Sequence, residues 1–142
     1  MTPPKLLRLS LLSSFLITLS ACQASVLIFS GGLLSGPLTA ADSFSFAAQY
    51  KRLRLEVRPE DPYSVILRVS MHDDQLYIDA AQGRRWYAYL QDNQNVRIKL
   101  GNTVYPALAI RVDDVEITRL FSRDRTVYRL VPRKLARLKA QP

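Results

Sequence analysis

Between residues 52 and 131, hydrophobic and polar side chains alternate in short runs. Leu53, Leu55 and Val57 alternate with Arg52, Arg54, Glu56 and Arg58, the period of a strand with one face buried. Pro59-Glu60-Asp61-Pro62 supplies turn residues, and Val65, Leu67 and Val69 then resume the alternation. Met71-His72-Asp73-Asp74 reads as the next turn, and Leu76-Tyr77-Ile78 as a third strand. Val96, Ile98 and Leu100 alternate with Arg97 and Lys99. Beyond Gly101-Asn102, Val104, Leu108, Ile110 and Val112 continue with the same parity. These two runs predict a hairpin whose turn uses the positive φ open to glycine. Pro106 predicts an edge position or a bulge, because it has no N–H for the ladder. Val127, Tyr128, Leu130 and Val131 make a last strand, closed by Pro132. Helix is confined to Trp86–Asn93 and to Asp114–Ser122, the latter with Asp114 as N-cap. Six strands with no long crossover helix predict a mainly β fold: a small antiparallel barrel or sandwich with one or two short helices.

At 142 residues the chain is sized for one domain. One cysteine and one histidine exclude an intrachain disulfide framework, a cysteine-cluster zinc site and a multi-histidine metal site.

The segment ahead of the strands is of another kind. After Lys5 and Arg8 the next charged residue is Asp42, so residues 9–41 are all uncharged. Leu6, Leu7, Leu9, Leu11, Leu12, Phe15, Leu16, Ile17 and Leu19 form a short apolar run behind a basic start, the pattern of a secretory signal. It ends in Leu19-Ser20-Ala21-Cys22, which resembles a bacterial lipobox. The resemblance implies that the Cys22 thiolate accepts a diacylglycerol before cleavage, and that Gln23 directs the product to the outer membrane, facing the periplasm. Two alternatives stay open. A helix from Leu6 to Phe29 is long enough to remain as an uncleaved anchor, or cleavage after Ala41 releases a soluble exported form. The leading division is a signal peptide over 1–21, a lipidated Cys22 with an apolar linker over 22–46, a β domain over 47–133 and a basic tail over 134–142.

Within the β domain, Trp86-Tyr87-x-Tyr89-Leu90-x-x-Asn93-x-x-Val96-x-Ile98-x-x-Gly101 resembles a segment of flavin-binding split-barrel proteins, closest to the deazaflavin-dependent nitroreductase-like branch. The resemblance spans residues 76–112. It implies a split barrel with a short helix seated over one mouth. The chain has Tyr89 and Gln94 where that branch has Asn and Pro, and no counterpart of its Gly-Arg-x-Ser-Gly phosphate turn near residues 58–62. The resemblance therefore bears on fold more than on activity.

Gln82-Gly83-Arg84-Arg85-Trp86-Tyr87 is the principal cluster of candidate chemistry. Two guanidinium groups beside two aromatic rings can hold a phosphate or carboxylate and a planar ring. Arg84, Arg85, Trp86 and Tyr87 are therefore the candidate contacts for a flavin or deazaflavin; the bland alternative is solvated arginines over a core tryptophan. His72 and the acidic pairs Asp73-Asp74 and Asp113-Asp114 have turn composition, and no nucleophile stands beside His72, so no catalytic residue is assigned. The net charge of +8 includes Lys5 and Arg8. Eight of the remaining basic residues lie between Ile117 and Pro142, against Asp124 alone, a density that attracts polyanions. For an exported chain these are anionic lipids or envelope polymers rather than nucleic acid. The leading expectation is a non-catalytic, membrane-held binding or structural module without cofactor, with membership of an envelope complex as a further possibility; the alternative is an oxidoreductase-like flavin binder. The lipobox reading predicts that Cys22→Ser leaves an unprocessed precursor. Migration and fractionation identical to the unsubstituted protein would refute it.

Overall fold

Strand register converts the alternating sequence into a curled sheet. The computed structural model describes residues 31–135; Cys22 and the distal tail lie outside them. The strands are β1 (Arg52–Val57), β2 (Tyr63–Arg68), β3 (Ser70–His72), β4 (Gln75–Ala81), β5 (Asn95–Leu100), β6 (Thr103–Val112) and β7 (Arg125–Pro132). Two short helices, α1 (Arg85–Asp92) and α2 (Val115–Thr118), interrupt them. The strands form one antiparallel sheet, ordered β2-β1-β5-β6-β7-β4-β3 and curled into a half-barrel. Among the described residues no helix is long and apolar enough to cross a membrane.

Six strands were expected and seven form. Asp73 and Asp74 both carry positive φ, 46° and 58°, the geometry of a two-residue type I′ hairpin turn. The turn thus occupies only those two residues, and Met71 and His72 go to β3, paired with Leu76 and Gln75.

β6 corrects two expectations. It is an interior strand between β5 and β7, so Pro106 is neither at a sheet edge nor at a bulge. The β6–β7 ladder ends at Ala107↔Pro132, and the Pro106 carbonyl accepts one further bond from Arg133 N at 3.0 Å. The missing N–H therefore falls where pairing with β7 is already finishing. The core face of β6 is also the opposite one. Register sets Ile98 against Tyr105 and Val96 against Ala107, so Ala107 and Ala109 join the core while Leu108 and Ile110 lie outward. Small residues are needed inside because Trp86 and Leu90 of α1, with Leu55, Ile78, Ile98 and Leu130, already fill the concave side.

The second helix is one turn rather than two. Asp114 caps it as expected, its Oδ1 accepting from Glu116 N at 2.8 Å and Ile117 N at 3.3 Å. Beyond Thr118 the chain continues in i→i+3 turns, with Leu120 N bonded to Ile117 O and Phe121 N to Thr118 O.

Residues 31–46 carry tertiary structure. Gly31 pairs with Ser64 on the free edge of β2 through reciprocal bonds of 2.8 and 2.6 Å. The chain then crosses the outer face of the sheet, burying Leu34. It lands on β6, where Val104 N donates to Pro37 O and Thr39 N to Val104 O, both at 2.9 Å. Gly36 has φ 140° and lies against the Asn102 carbonyl, leaving no room for a Cβ. Under this strap sits Glu56, 1% exposed. Its Oε1 accepts from Arg97 Nε at 2.6 Å and its Oε2 from Leu34 N at 2.6 Å.

Two predictions follow from this packing. Glu56→Ala leaves the Arg97 guanidinium and the Leu34 amide without their shared acceptor, and chemical denaturation should show a loss of about 3 kcal/mol. Burial pushes the Tyr128 phenol above its ordinary value, with Tyr87 adding to the shift and Arg111 opposing it. A phenol raised in the folded state favours folding equally at all pH values below its unfolded titration, and that contribution is lost as pH rises through the folded one. Unfolding free energy should therefore fall above about pH 10, and Tyr128→Phe should flatten that fall in a denaturation series.

Candidate functional site

The half-barrel leaves β2 and β3 as its edge strands, joined in sequence by Val69 alone. α1 packs against β1 and β2. Trp86 and Leu90, one helical turn apart, enter the core. The ring of Tyr89 meets Tyr63 edge-on at 5.6 Å between centroids, and the Arg58 guanidinium lies 4.1 Å above the Tyr89 ring. The helix is thus fixed by its aromatic face, with its N-terminus turned toward an open groove.

That groove has a volume of about 1100 Å³, large enough for a nucleotide-sized ligand. Its walls come from β2, β3, β4, the turn before α1 and the segment after α2. Four arginines reach it, Arg68, Arg84, Arg85 and Arg125, against one carboxylate, Asp79. Arg125 Nη1 lies 3.5 Å from Asp79 Oδ2. Among the described residues, Arg68, Arg84 and Arg85 have no carboxylate at ion-pair distance. Tyr77 and Phe121 form an apolar wall, their ring centroids 6.4 Å apart.

The start of α1 sharpens this electrostatic picture. Gly83, at φ 81°, turns the chain from β4 into the helix. Arg84 is the N-cap without a side-chain capping bond, and the first turn holds no acid. Helix N-termini favour negative charge, so two guanidinium groups there oppose the helix dipole. An anion placed between them would satisfy the guanidinium groups and the first-turn amides together.

The structure therefore brings Arg84 and Arg85 to the groove wall. Trp86 also borders it but is only 7% exposed and belongs to the core, so its ring face is not offered to a ligand. Tyr87 lies off the groove, its hydroxyl accepting from Gln91 Nε2 and Thr126 Oγ1, both at 3.2 Å. His72 borders the groove, with Nε2 3.3 Å from the neighbouring Asp73 carboxylate. Sequence reasoning did not single out Arg68, Arg125, Phe121 or Tyr77 as site residues. Arg125 reaches the site because β4–β7 register sets it against Ala81, one turn before Arg84; no local pattern marks it.

No protein-family model matches the chain, and no curated protein sequence matches it. Solved structures do. A candidate pyridoxamine 5'-phosphate oxidase from Listeria innocua aligns at TM-score 0.55 and 14% identity, over 63% of this chain and 90% of its own. General Stress Protein 26 from Bacillus anthracis aligns at TM-score 0.53 and 16% identity, over 63% and 85%. A candidate 5-nitroimidazole antibiotic resistance protein from Bacteroides thetaiotaomicron aligns at TM-score 0.50 and 16% identity, over 68% and 83%. The fold is a split β-barrel. At these identities the likeness concerns fold alone, in agreement with the resemblance read from residues 76–112.

Proposed function

We propose that this protein is a membrane-tethered envelope lipoprotein whose split-barrel domain binds an anionic, ring-bearing small molecule and performs no chemistry of its own on it. The observation that carries the binding reading is the trio Arg68, Arg84 and Arg85. All three border one groove and have no carboxylate partner among the described residues. Solvated arginines scattered over a surface carry no such meaning; three converging on a concave site beside an aromatic wall have the composition of a phosphate or carboxylate receptor.

The residues fit the flavin phosphates at their anionic end. Arg84 and Arg85, with the first amides of α1, would hold a phosphate, Arg68 would face it across the groove, and Phe121, backed by the buried Tyr77, would pack against the ring. A flavin would supply electron-transfer chemistry when bound. The chain itself contributes binding and orientation, and no side chain is assigned to a proton-transfer or nucleophilic step.

The strap supports the tethered reading. Cleavage after Ala41 would remove Leu34, Pro37 and Thr39 from the sheet and uncover the carboxylate of Glu56. Burial of an ion pair is tolerated only with its hydrogen bonds complete, so a chain that keeps residues 31–41 is the better-folded product. Both the lipidated and the anchor-helix forms keep them.

The purified full chain, titrated with flavin mononucleotide and with a deazaflavin cofactor, should show saturable quenching of cofactor fluorescence. Arg84→Glu/Arg85→Glu should abolish it without changing the melting temperature by more than a few degrees, as expected for exposed positions. No saturable binding of either cofactor and no co-purified chromophore would remove the flavin class and leave a structural module.

A further inference from the structure

The exposed large hydrophobic side chains of the described chain are few, and three of the five sit together. Leu33 is 68% exposed, Leu38 47% and Leu135 41%, and all three border one groove of about 380 Å³ with Pro59, Pro106 and Arg133. Isolated exposed leucines need no explanation; an apolar rim of three marks a surface that meets something.

What it meets is indicated by how the chain enters and leaves. The strap begins at Gly31, and eight residues, 23–30, separate it from Cys22. Fully extended, that stretch reaches at most about 30 Å. In the anchor-helix form, Phe29 is two positions from Gly31. Either attachment keeps the start of the strap close to a bilayer. At the same rim the chain leaves through Arg133, Lys134 and Leu135 toward Arg137 and Lys139, with no acid in that stretch. Arg133 is held in place there: its guanidinium donates to Asn95 Oδ1, and its N donates to Pro106 O at 3.0 Å. Apolar side chains with a fixed cation at their edge, followed in sequence by further basic residues, have the composition of a surface that enters an anionic bilayer interface.

We infer that the Leu33–Leu38–Leu135 rim is a docking face for an anionic lipid bilayer. The three leucines enter the boundary between headgroups and acyl chains, while Arg133 and Lys134 meet lipid phosphates. The inference deepens the tethered reading and rests on it. It assigns an orientation as well as an attachment: the strap side of the sheet lies on the membrane. The arginine groove shares no lining residue with this rim.

The test uses the full chain reconstituted into vesicles of phosphatidylethanolamine and phosphatidylglycerol, with tryptophan probes introduced as Leu38→Trp or Leu135→Trp. Val115→Trp, at the first position of α2 and 58% exposed, is the control. All three sites are exposed, so the core is left intact. Read as the difference from the unsubstituted chain, whose one tryptophan is the core Trp86, emission from positions 38 and 135 should shift to the blue and be quenched by lipids brominated on the acyl chain, while emission from position 115 does neither. Replacing phosphatidylglycerol with phosphatidylcholine should weaken the quenching. Vesicle flotation, read in parallel, separates tether from docking. A chain that floats while positions 38 and 135 stay unquenched overturns the docking face and leaves the tether standing; a chain that does not float overturns both. Equal quenching in both vesicle types overturns the anionic-lipid assignment. A concentration-dependent blue shift without lipid quenching places a second copy on the rim and also overturns it.

Discussion

The carboxylate of Glu56 is the constraint on which the remaining geometry depends. It lies on the outer face of β1, where an uncovered acid would need no partner, but the strap seals it away from water. A buried carboxylate is tolerated only if its lone pairs are met by donors and its charge by a cation. Arg97 on the neighbouring strand supplies the charge, and Leu34 in the strap supplies a backbone N–H. The same contact therefore joins β1 to β5 and fixes the path of the strap. Lys99 Nζ extends the arrangement by donating to Ser35 O at 2.6 Å, and Val104, beyond the end of β7, receives the strap's last pair of bonds. A polar group on the face that would otherwise meet water, once covered, becomes the reason the N-terminal segment has a defined course.

With the strap on the convex side, α1 has to finish the concave side. A curled sheet of seven strands with unpaired edges would expose part of its apolar interior. Trp86 and Leu90 fill the opening, Tyr89 locks the helix to Tyr63 and Arg58, and Ala107 and Ala109 give the room that these large side chains need. The helix is short and its first turn holds no acid. The arginine groove is thus a by-product of closing the barrel with a helix whose start points outward, combined with arginines where an acid would have been the stabilising choice. Local choices that oppose stability in this way are expected at functional sites.

Much of the sheet was legible because alternation, turn residues and burial agreed. Leu53-Leu55-Val57, Val96-Ile98-Leu100 and the Gly101-Asn102 turn needed only the period-two rule, and Asp114 was readable as a cap from its chemistry. The features that escaped depend on register or on distant contacts. A three-residue strand such as Ser70–His72 is too short to show a period. The inward face of β6 is carried by Ala107 and Ala109, which look less like core than Leu108 and Ile110 until the volume of Trp86 is known. Pro106 sits at an interior position that is compatible with proline only because β7 ends beside it. Residues 31–41 have no alternation and no charge, so nothing local distinguishes a strap from a linker; Leu34 is buried because Glu56, twenty-two positions away, requires its amide. In the groove, Arg84 and Arg85 were marked by their neighbours, whereas Arg68 and Arg125 arrive by strand pairing.

The basic balance of the chain acquires a location from these contacts. Arg58, Arg97, Arg111, Arg119 and Arg125 are each matched to a carboxylate, so they add little to the field felt by a ligand. The exposed pairs among them are worth little to stability as well. Of the basic residues without a carboxylate partner among the described residues, Arg68, Arg84 and Arg85 border the groove with its aromatic wall and Arg133 borders the leucine rim, while Lys51 and Arg52 lie at neither. A concave cationic site selects for shape as well as charge, because a ligand must leave water to enter it. The exposed leucines of the rim gain most when a large apolar phase covers them together. The groove and the leucine rim are thus separate features of one small sheet, and the buried Glu56 contact holds the strap that carries two of the rim's leucines.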